Sequence, residues 1–344
     1  MAHIGFGRWI GDPTLDGKGV LVDPYKIYTP QQMYDMRNDL AGNYKLMRDI
    51  DMSTWKTGLT WTPIGTYNAP FIGTLDGNGK VISNLAVDNA TTVGGLFGAI
   101  QHAEIYDLTM DNFSYKSTYT TSPPYSYGAG VIAAASRGNC YLHDITITNS
   151  AVRSIYASVG GVIGWANTGD VLRRCYVTAT VEGSLAGGII GSIYEAAEVE
   201  MCSVRGTIKS SQTAAGGIVG VWLKNGVFRN NYSQADVTGA GYCGGIVGLC
   251  TNMFTCMNSY AAGTINGTSA SYGIGGLMAN SANYAANLWD KTVNSGLADP
   301  DVSGTIGYTT AAMQTESTYT TLGWNFADIW KISADEYPKL KTET

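Results

Sequence analysis

Charge is scarce in this chain. Only 14% of its 344 residues are Asp, Glu, Lys or Arg, against roughly 25% in an average soluble protein. The net charge is −6 and the pI is near 5.1, with no cluster of Lys or Arg. A nucleic-acid partner would require a basic stripe, so that class is excluded. No apolar run approaches the ~18 residues of a membrane span; the longest is Val131–Ala135. The opening stretch "MAHIGFGRWIGDPTLDGKG" lacks the basic start and the apolar core of a secretory leader. The expectation is therefore a protein that acts inside the cell, leaves it by lysis or a non-classical route, or follows a leader already removed.

Cysteine (6) and histidine (3) are sparse too, and there is no C-x-x-C pair. A metal centre or redox dithiol is not expected, and no cofactor is implied. No Ser-His-Asp pattern or phosphate loop is present, since "GTLDGNGK" lacks the P-loop spacing and reads as a turn.

What is abundant is glycine (44) and tyrosine (22), with Ser, Thr and Asn supplying most of the polar remainder. This is a β-protein composition with a neutral, hydroxyl-rich surface. The glycines recur in order: GGLFG at Gly94, GGVIG at Gly160, GGIIG at Gly187, and GGIVG at Gly216 and Gly244. Degenerate copies stand at Ala129 (AGVIA) and Gly275 (GGLMA), and the central intervals are 27, 29 and 28 residues. Near-constant spacing in this range marks a solenoid or propeller.

Aligning the central copies on their first glycine produces columns. One holds Cys175, Cys202, Asn231 and Ser259, and another holds Val181, Ile208, Val237 and Ile265. Small and apolar residues alternate between them, as in a strand with one buried face. No helical segment separates successive copies, so like strands must stack on like strands about 4.8 Å apart. The fold expected is all-β: a single-stranded right-handed parallel β-helix, a solenoid, with short helical caps at both ends. Thr29–Leu40 begins Thr-Pro and sets Met33, Met36 and Leu40 on one helical face; Thr309–Leu322 reads as the matching terminal helix. Both are expected to be lids over exposed strand edges. The organisation expected is a segment 1–22 as candidate anchor, an opening cap over 23–60, the β-helix over 61–306 and a C-terminal cap over 307–344.

The glycine pentapeptides resemble the GLUG motif of bacterial surface proteins and of non-catalytic regions of IgA-peptidase-like proteins. The flanks "DPYKIYTPQQMYDMRNDLAGNYKLMRDIDMSTW" (Asp23–Trp55), "FIGTLDGNGKVISNL" (Phe71–Leu85), "LWDKTVNSGL" (Leu288–Leu297) and "WKISADEYPKL" (Trp330–Leu340) agree with it. The resemblance covers about residues 23–342. It implies a scaffold, not a reaction.

The columns also sort the candidate chemistry. Cys243, Cys250 and Cys256 share columns with aliphatic and aromatic residues and read as core. Arg173, Glu200 and Arg229 share one column and should form an alternating charge ladder. Glu195, Glu198 and Glu200 form the densest carboxylate group, which a polysaccharide depolymerase would need. With one member already in the ladder, the expectation is no enzyme. Tyr176, Tyr232 and Tyr260 share a column expected to face outward, with Ser203 among them. An insertion after Gly94, "DNFSYKSTYTTSPPYSYG" (Asp111–Gly128), adds Phe113, Tyr115, Tyr119, Tyr125 and Tyr127. Tyrosine amid Ser, Thr and Pro has the make-up of a binding loop.

These eight aromatics are the expected binding residues. The function expected is attachment by a non-enzymatic protein displayed on a surface, foremost a phage virion component such as a tail fibre, receptor-binding or decoration protein. Alternatives are a bacterial cell-surface adhesin without its leader, secreted or cell-bound, and a polysaccharide depolymerase. Expected partners are a host surface glycan or protein and neighbouring virion or surface proteins, with a homotrimer allowed, no nucleic acid and no membrane insertion.

Overall fold

The computed structural model describes residues 15–55, 61–87, 93–117, 128–251, 255–275, 283–298 and 303–343. Their path is a parallel β-solenoid of about eight turns. One ladder climbs through Tyr25–Ile27, Asn43–Leu46, Thr74–Ser83, Glu104–Asp111, Tyr141–Gly160, Asp170–Gly187 and Ser203–Gly216, each strand parallel to the next. It starts inside the segment expected to be an opening cap. A second, six-stranded sheet stacks Phe97–Ile100, Ala133–Ser136, Ile163–Ala166, Ile190–Ile193, Val219–Trp222 and Val247–Cys250.

The pentapeptide is the corner between these two sheets. Its first glycine ends the long strand at Gly160, Gly187 and Gly216, and its second apolar residue opens the next strand at Ile163, Ile190 and Val219. A Cβ on Gly160, Gly187 or Gly216 would lie 1.9–2.0 Å from the carbonyl oxygen three residues on. A Cβ on Gly161, Gly188, Gly217 or Gly245 would lie 2.0–2.2 Å from a carbonyl oxygen of the rung above. None of these glycines has positive φ, so the corner selects glycine for space. The first apolar residues, Val162, Ile189, Ile218 and Ile246, are fully buried, as is Ile274 on the next rung, where Gly244 pairs with Tyr272, so that this rung's corner falls three residues before the copy expected at Gly275. Their backbones form a ladder, with Ile189 N–H donating to Ile218 C=O at 2.8 Å and Ile218 N–H to Ile246 C=O at 2.9 Å.

A second corner turns on left-handed residues. Asp144, Arg174, Met201, Asn230, Asn258 and Ala286 all have φ of 51–57°. The residue after each carries a side chain inward, and this column is a polar ladder. Cys202 N–H donates to Asn231 Oδ1 (2.9 Å), Asn231 N–H to Ser259 Oγ (3.1 Å) and Ser259 N–H to Asn287 Oδ1 (3.1 Å). At the lower rung a thiol substitutes, with Cys202 Sγ accepting from Cys175 N–H at 3.5 Å. Backbone donors that the tight turn would orphan are thus satisfied by the neighbouring rung.

All six cysteines are buried, and none forms a disulfide. Cys243 stacks on Ala215, Cys250 on Trp222 and Cys256 on Phe228, as the columns require. Cys140 lies in another corner, where Asp170 Oδ1 accepts from Cys140 N–H (3.0 Å) and Ser136 Oγ–H (2.8 Å). Burial pushes the Cys140 thiol up to about 12 and that of Cys243 up to about 11. The thiolate is the reactive form, so a thiol reagent should label none of the six in the native protein and all six in denaturant. Rapid native labelling of two or more would contradict these positions.

The N-terminal helix is Pro30–Asp35, capped by Thr29, whose side chain accepts from Gln32 N–H at 3.2 Å. It buries Met33, and Met36 is buried in the turn that follows. The C-terminal segment departs from the expected lid. Its helix is broken into Thr310–Met313 and Glu316–Thr320, and beyond it Trp330–Lys331 pairs antiparallel with Lys339–Leu340. Instead of closing only the end, residues 309–343 run back along the side of the solenoid.

Candidate functional site

The predicted tyrosine column exists. Tyr176, Ser203, Tyr232 and Tyr260 stand in register, and the last two rings stack at 5.0 Å and 1°. They point away from the coil interior as expected, but Ser203, Tyr232 and Tyr260 do not reach solvent and Tyr176 is half-buried. Trp330 packs 6.2 Å from Tyr232 and 6.1 Å from Tyr260, and Tyr319 and Trp324 close over Tyr260. Tyr232 and Tyr260 are fully buried in a second apolar cluster with Met313, Trp324 and Leu340. Their hydroxyls are held as well: Tyr260 donates to Pro338 C=O (2.6 Å), Tyr176 to Thr342 Oγ1 (2.6 Å), and Tyr232 to Glu343. The column is the seat of the C-terminal strap, not a ligand face.

Burial pushes the phenols of Tyr176, Tyr232, Tyr260 and Tyr319 well above the usual tyrosine range. A folded-state pKa above the unfolded value of about 10 means that the stabilisation is fully present below that pH and is lost as pH rises past it. Alkali should therefore release the strap, with delayed tyrosinate absorbance and a concurrent shift in tryptophan emission. A titration complete near pH 10 with unchanged tryptophan emission would refute the covered column.

The insertion is corrected in part. Phe113 and Tyr115 are buried, 1% and 2% exposed. Tyr115 lies in the strand Ser114–Lys116, paired to the long strand at Val152, with its ring against Gly94. Both rings fill their own coil, away from the surface on which the sequence reading placed them. Tyr119, Tyr125 and Tyr127 lie outside the described residues.

The carboxylates are engaged. Glu195 pairs with Lys224, Glu198 with Arg229 (2.7 Å), and Glu200 with both Arg173 (2.7 Å) and Arg229 (2.9 Å). The charge ladder is real and longer than the sequence columns suggested, continuing downward through His143, Tyr106, Asp76 and Lys45. His143 lies between the rings of Tyr106 and Tyr141, 5.0 and 4.1 Å away, with Asp144 and Glu104 at its two nitrogens. Among the described residues no group of His, Cys, Asp and Glu could hold a metal ion. A cleft of about 670 Å³ lies along the strap, lined by Arg205, Gln234, Lys331, Asp335, Tyr337 and Lys339. Its cations are taken up locally, Arg205 by the Glu343 carboxylate, Lys331 by the Glu343 carbonyl (2.9 Å) and Lys339 by Glu336.

A partly exposed aromatic group lies on the six-stranded sheet and the turns beside it. Trp165 occupies an outward column with Ala99, Ala135, Ser192, Val221 and Leu249. Alanine on the two rungs below leaves space, and the turn at Thr66–Ala69 brings Tyr67 over it. The Tyr67 and Trp165 rings stack at 6.3 Å and 14°, and Tyr194 meets Trp165 edge-on at 6.0 Å. Tyr194 is 46% exposed, while Tyr67 and Trp165 are half-buried. Arg137 sits 5.1 Å over Tyr67 and donates to its carbonyl at 3.2 Å; Lys224, paired with Glu195, sits 5.4 Å over Tyr194. The result is three rings in a row framed by charged hydrogen-bonding groups. The column analysis did hold a signal for it, since Trp165 is one residue before the inward column of Ala166, Ile193 and Trp222. Tyr67, from an irregular coil, had none.

No known family profile matches the chain. Over 166 residues, 44% of its length, it is 30% identical to halomucin of Haloquadratum walsbyi. Over 130 residues, 36% of its length, it is 31% identical to a candidate Gly-rich membrane protein of Evansella cellulosilytica. The chain spans 2% of the length of the first and 14% of the second. Among solved structures, a candidate immunoglobulin A1 protease from Bacteroides ovatus superposes over 95% of both chains with a TM-score of 0.63 at 21% identity, a likeness of fold.

Proposed function

We propose that this chain is a non-enzymatic attachment module of a GLUG-type cell-surface protein, and that Tyr67, Trp165 and Tyr194 form its contact face. The row itself carries this reading: Trp165 on a strand, with Tyr67 and Tyr194 on adjoining turns, partly open to solvent and with charged groups at both ends. The relatives support a cell envelope over a phage particle. Both come from cellular organisms, one is a membrane protein by name, and the other carries mucin in its name. Among the described residues no helix is long and apolar enough to cross a membrane. The structural neighbour bears a protease name. Against a catalytic reading of this chain stands the pairing of Glu195, Glu198 and Glu200 with cations, which leaves none of them poised as acid or nucleophile.

The test is capture of bead-bound protein on immobilised cell-surface glycans and proteins. Trp165→Ala should lower capture at least tenfold while melting with the parent protein. Capture equal to the parent's would remove the row from the function.

A further inference from the structure

Apart from that face, we propose that the cleft between strap and solenoid takes a neutral polyhydroxylated ligand, a short run of uncharged glycan, which fastens the strap. The volume of about 670 Å³ falls in the range of small-molecule sites. Two parts of the fold wall it. Arg205 and Gln234 come from adjoining rungs, and the other lining residues come from the strap. Among the described residues no backbone–backbone hydrogen bond joins 309–343 to the rungs. Contacts of side chains hold the two walls together, such as Arg205 with Glu343 and Tyr337 with Asp290. A ligand that spans both walls binds only the docked strap, so its binding stabilises docking.

The lining selects against other ligand classes. Arg205, Lys331 and Lys339 stand with Asp335, Glu336 and Glu343, three cations against three carboxylates. An anion is opposed by the carboxylates and a cation by the basic groups, so neither gains net Coulomb energy. An apolar ligand finds little surface, since Tyr337 is the one aromatic residue of the lining and it already stacks on Tyr260. What stays available is hydrogen bonding of both polarities. Gln234 spends its Oε1 on Arg205 Nε–H (3.1 Å) and keeps its amide N–H groups. Gln314 spends its amide nitrogen on the Asp335 carbonyl (2.8 Å) and keeps its Oε1. The Asp335 carboxylate and the Ser333 hydroxyl have no partner among the described residues. A sugar hydroxyl donates and accepts at once, so adjacent hydroxyls suit such a mixed lining.

The experiment titrates the full chain by calorimetry with maltotriose, cellotriose and mannotriose. Trigalacturonate and, in mildly acidic buffer, a glucosamine trimer are the charged comparisons. The alkaline release of the strap is then followed by tryptophan emission with and without each neutral sugar. At least one neutral trimer should bind tenfold or more tightly than either charged one and move strap release to higher pH. Gln234→Ala should weaken that binding at least fivefold. Asp335→Asn removes one negative charge at a residue with φ of 59°, a conformation that Asn accepts. It should bring trigalacturonate to within about threefold of the neutral sugar, as one fewer opposing charge predicts. No binding of any neutral trimer would overturn the site. A charged trimer bound as tightly by the parent would overturn the selection by charge. Neutral-sugar binding that survives Gln234→Ala, or leaves strap release unchanged, would place the sugar elsewhere and overturn the proposal too. Trp165→Ala should leave this binding intact, so failure here and failure of the attachment face are separate results.

Discussion

Replacing Ile218 with Asp is expected to unfold the central coils. The side chain is fully buried, and its backbone is bonded to the equivalent isoleucines of the rungs on either side. Removing such an aliphatic chain alone costs about 2–5 kcal/mol through lost transfer energy and the cavity left behind. A carboxylate placed there is either ionised without a partner or protonated without an acceptor, so the total should exceed about 5 kcal/mol. That is comparable to the whole stability of many domains. Ile218→Val, which removes one methylene, should cost only about 1 kcal/mol. Thermal denaturation and soluble yield of the two variants provide the check. An Asp variant melting within a few degrees of the parent would mean that the column does not face the core.

The second large effect is expected from a single methyl group. In Gly217→Ala the new Cβ would lie 2.1 Å from the Gly245 carbonyl oxygen and 2.3 Å from Ser233 Oγ. The serine hydroxyl can rotate away, but the carbonyl belongs to the next rung, whose backbone the corner packs just as closely. Relief would require separating two rungs, and a loss on the order of 3 kcal/mol or more follows. Gly296 is the control, because nothing lies within 4 Å of a Cβ there. Gly296→Ala should stay within about 0.5 kcal/mol of the parent or stabilise it slightly. Equal melting temperatures for both alanine variants would refute the spatial account of the repeated glycines.

How far the sequence foretold this structure depends on the type of information needed. The columns through Cys243, Cys250, Cys256 and the Arg173–Glu200–Arg229 ladder were legible because a stacked repeat places equivalent positions on top of each other. Alternation likewise told that Tyr232 and Tyr260 leave the coil interior. It could not tell what lies beyond them, since a terminal helix expected over Thr309–Leu322 is silent about the surface on which it docks. The left-handed corner was hidden for a related reason: Asn230 and Asn258 advertise such a turn, but Arg174 and Met201 at the same position do not. Phe113 and Tyr115 shared a loop-like composition with neighbours outside the described residues, yet pairing with the long strand drew them inward.

The strap imposes a count on the coils beneath it. From Thr342 at Tyr176, past Trp330 between Tyr232 and Tyr260, to the Trp324 indole donating to the Ala286 carbonyl at 3.0 Å, it meets a fixed succession of rungs. Solenoids evolve by duplicating and losing whole turns, because each turn asks only for a compatible neighbour. Under the strap that freedom ends: deleting one turn between Cys202 and Tyr260 would shift every later anchor out of step. Lineages of this architecture should therefore vary in length below Tyr176 and hold a constant number of turns above it, so that the strap works as a ruler written into the end of the chain.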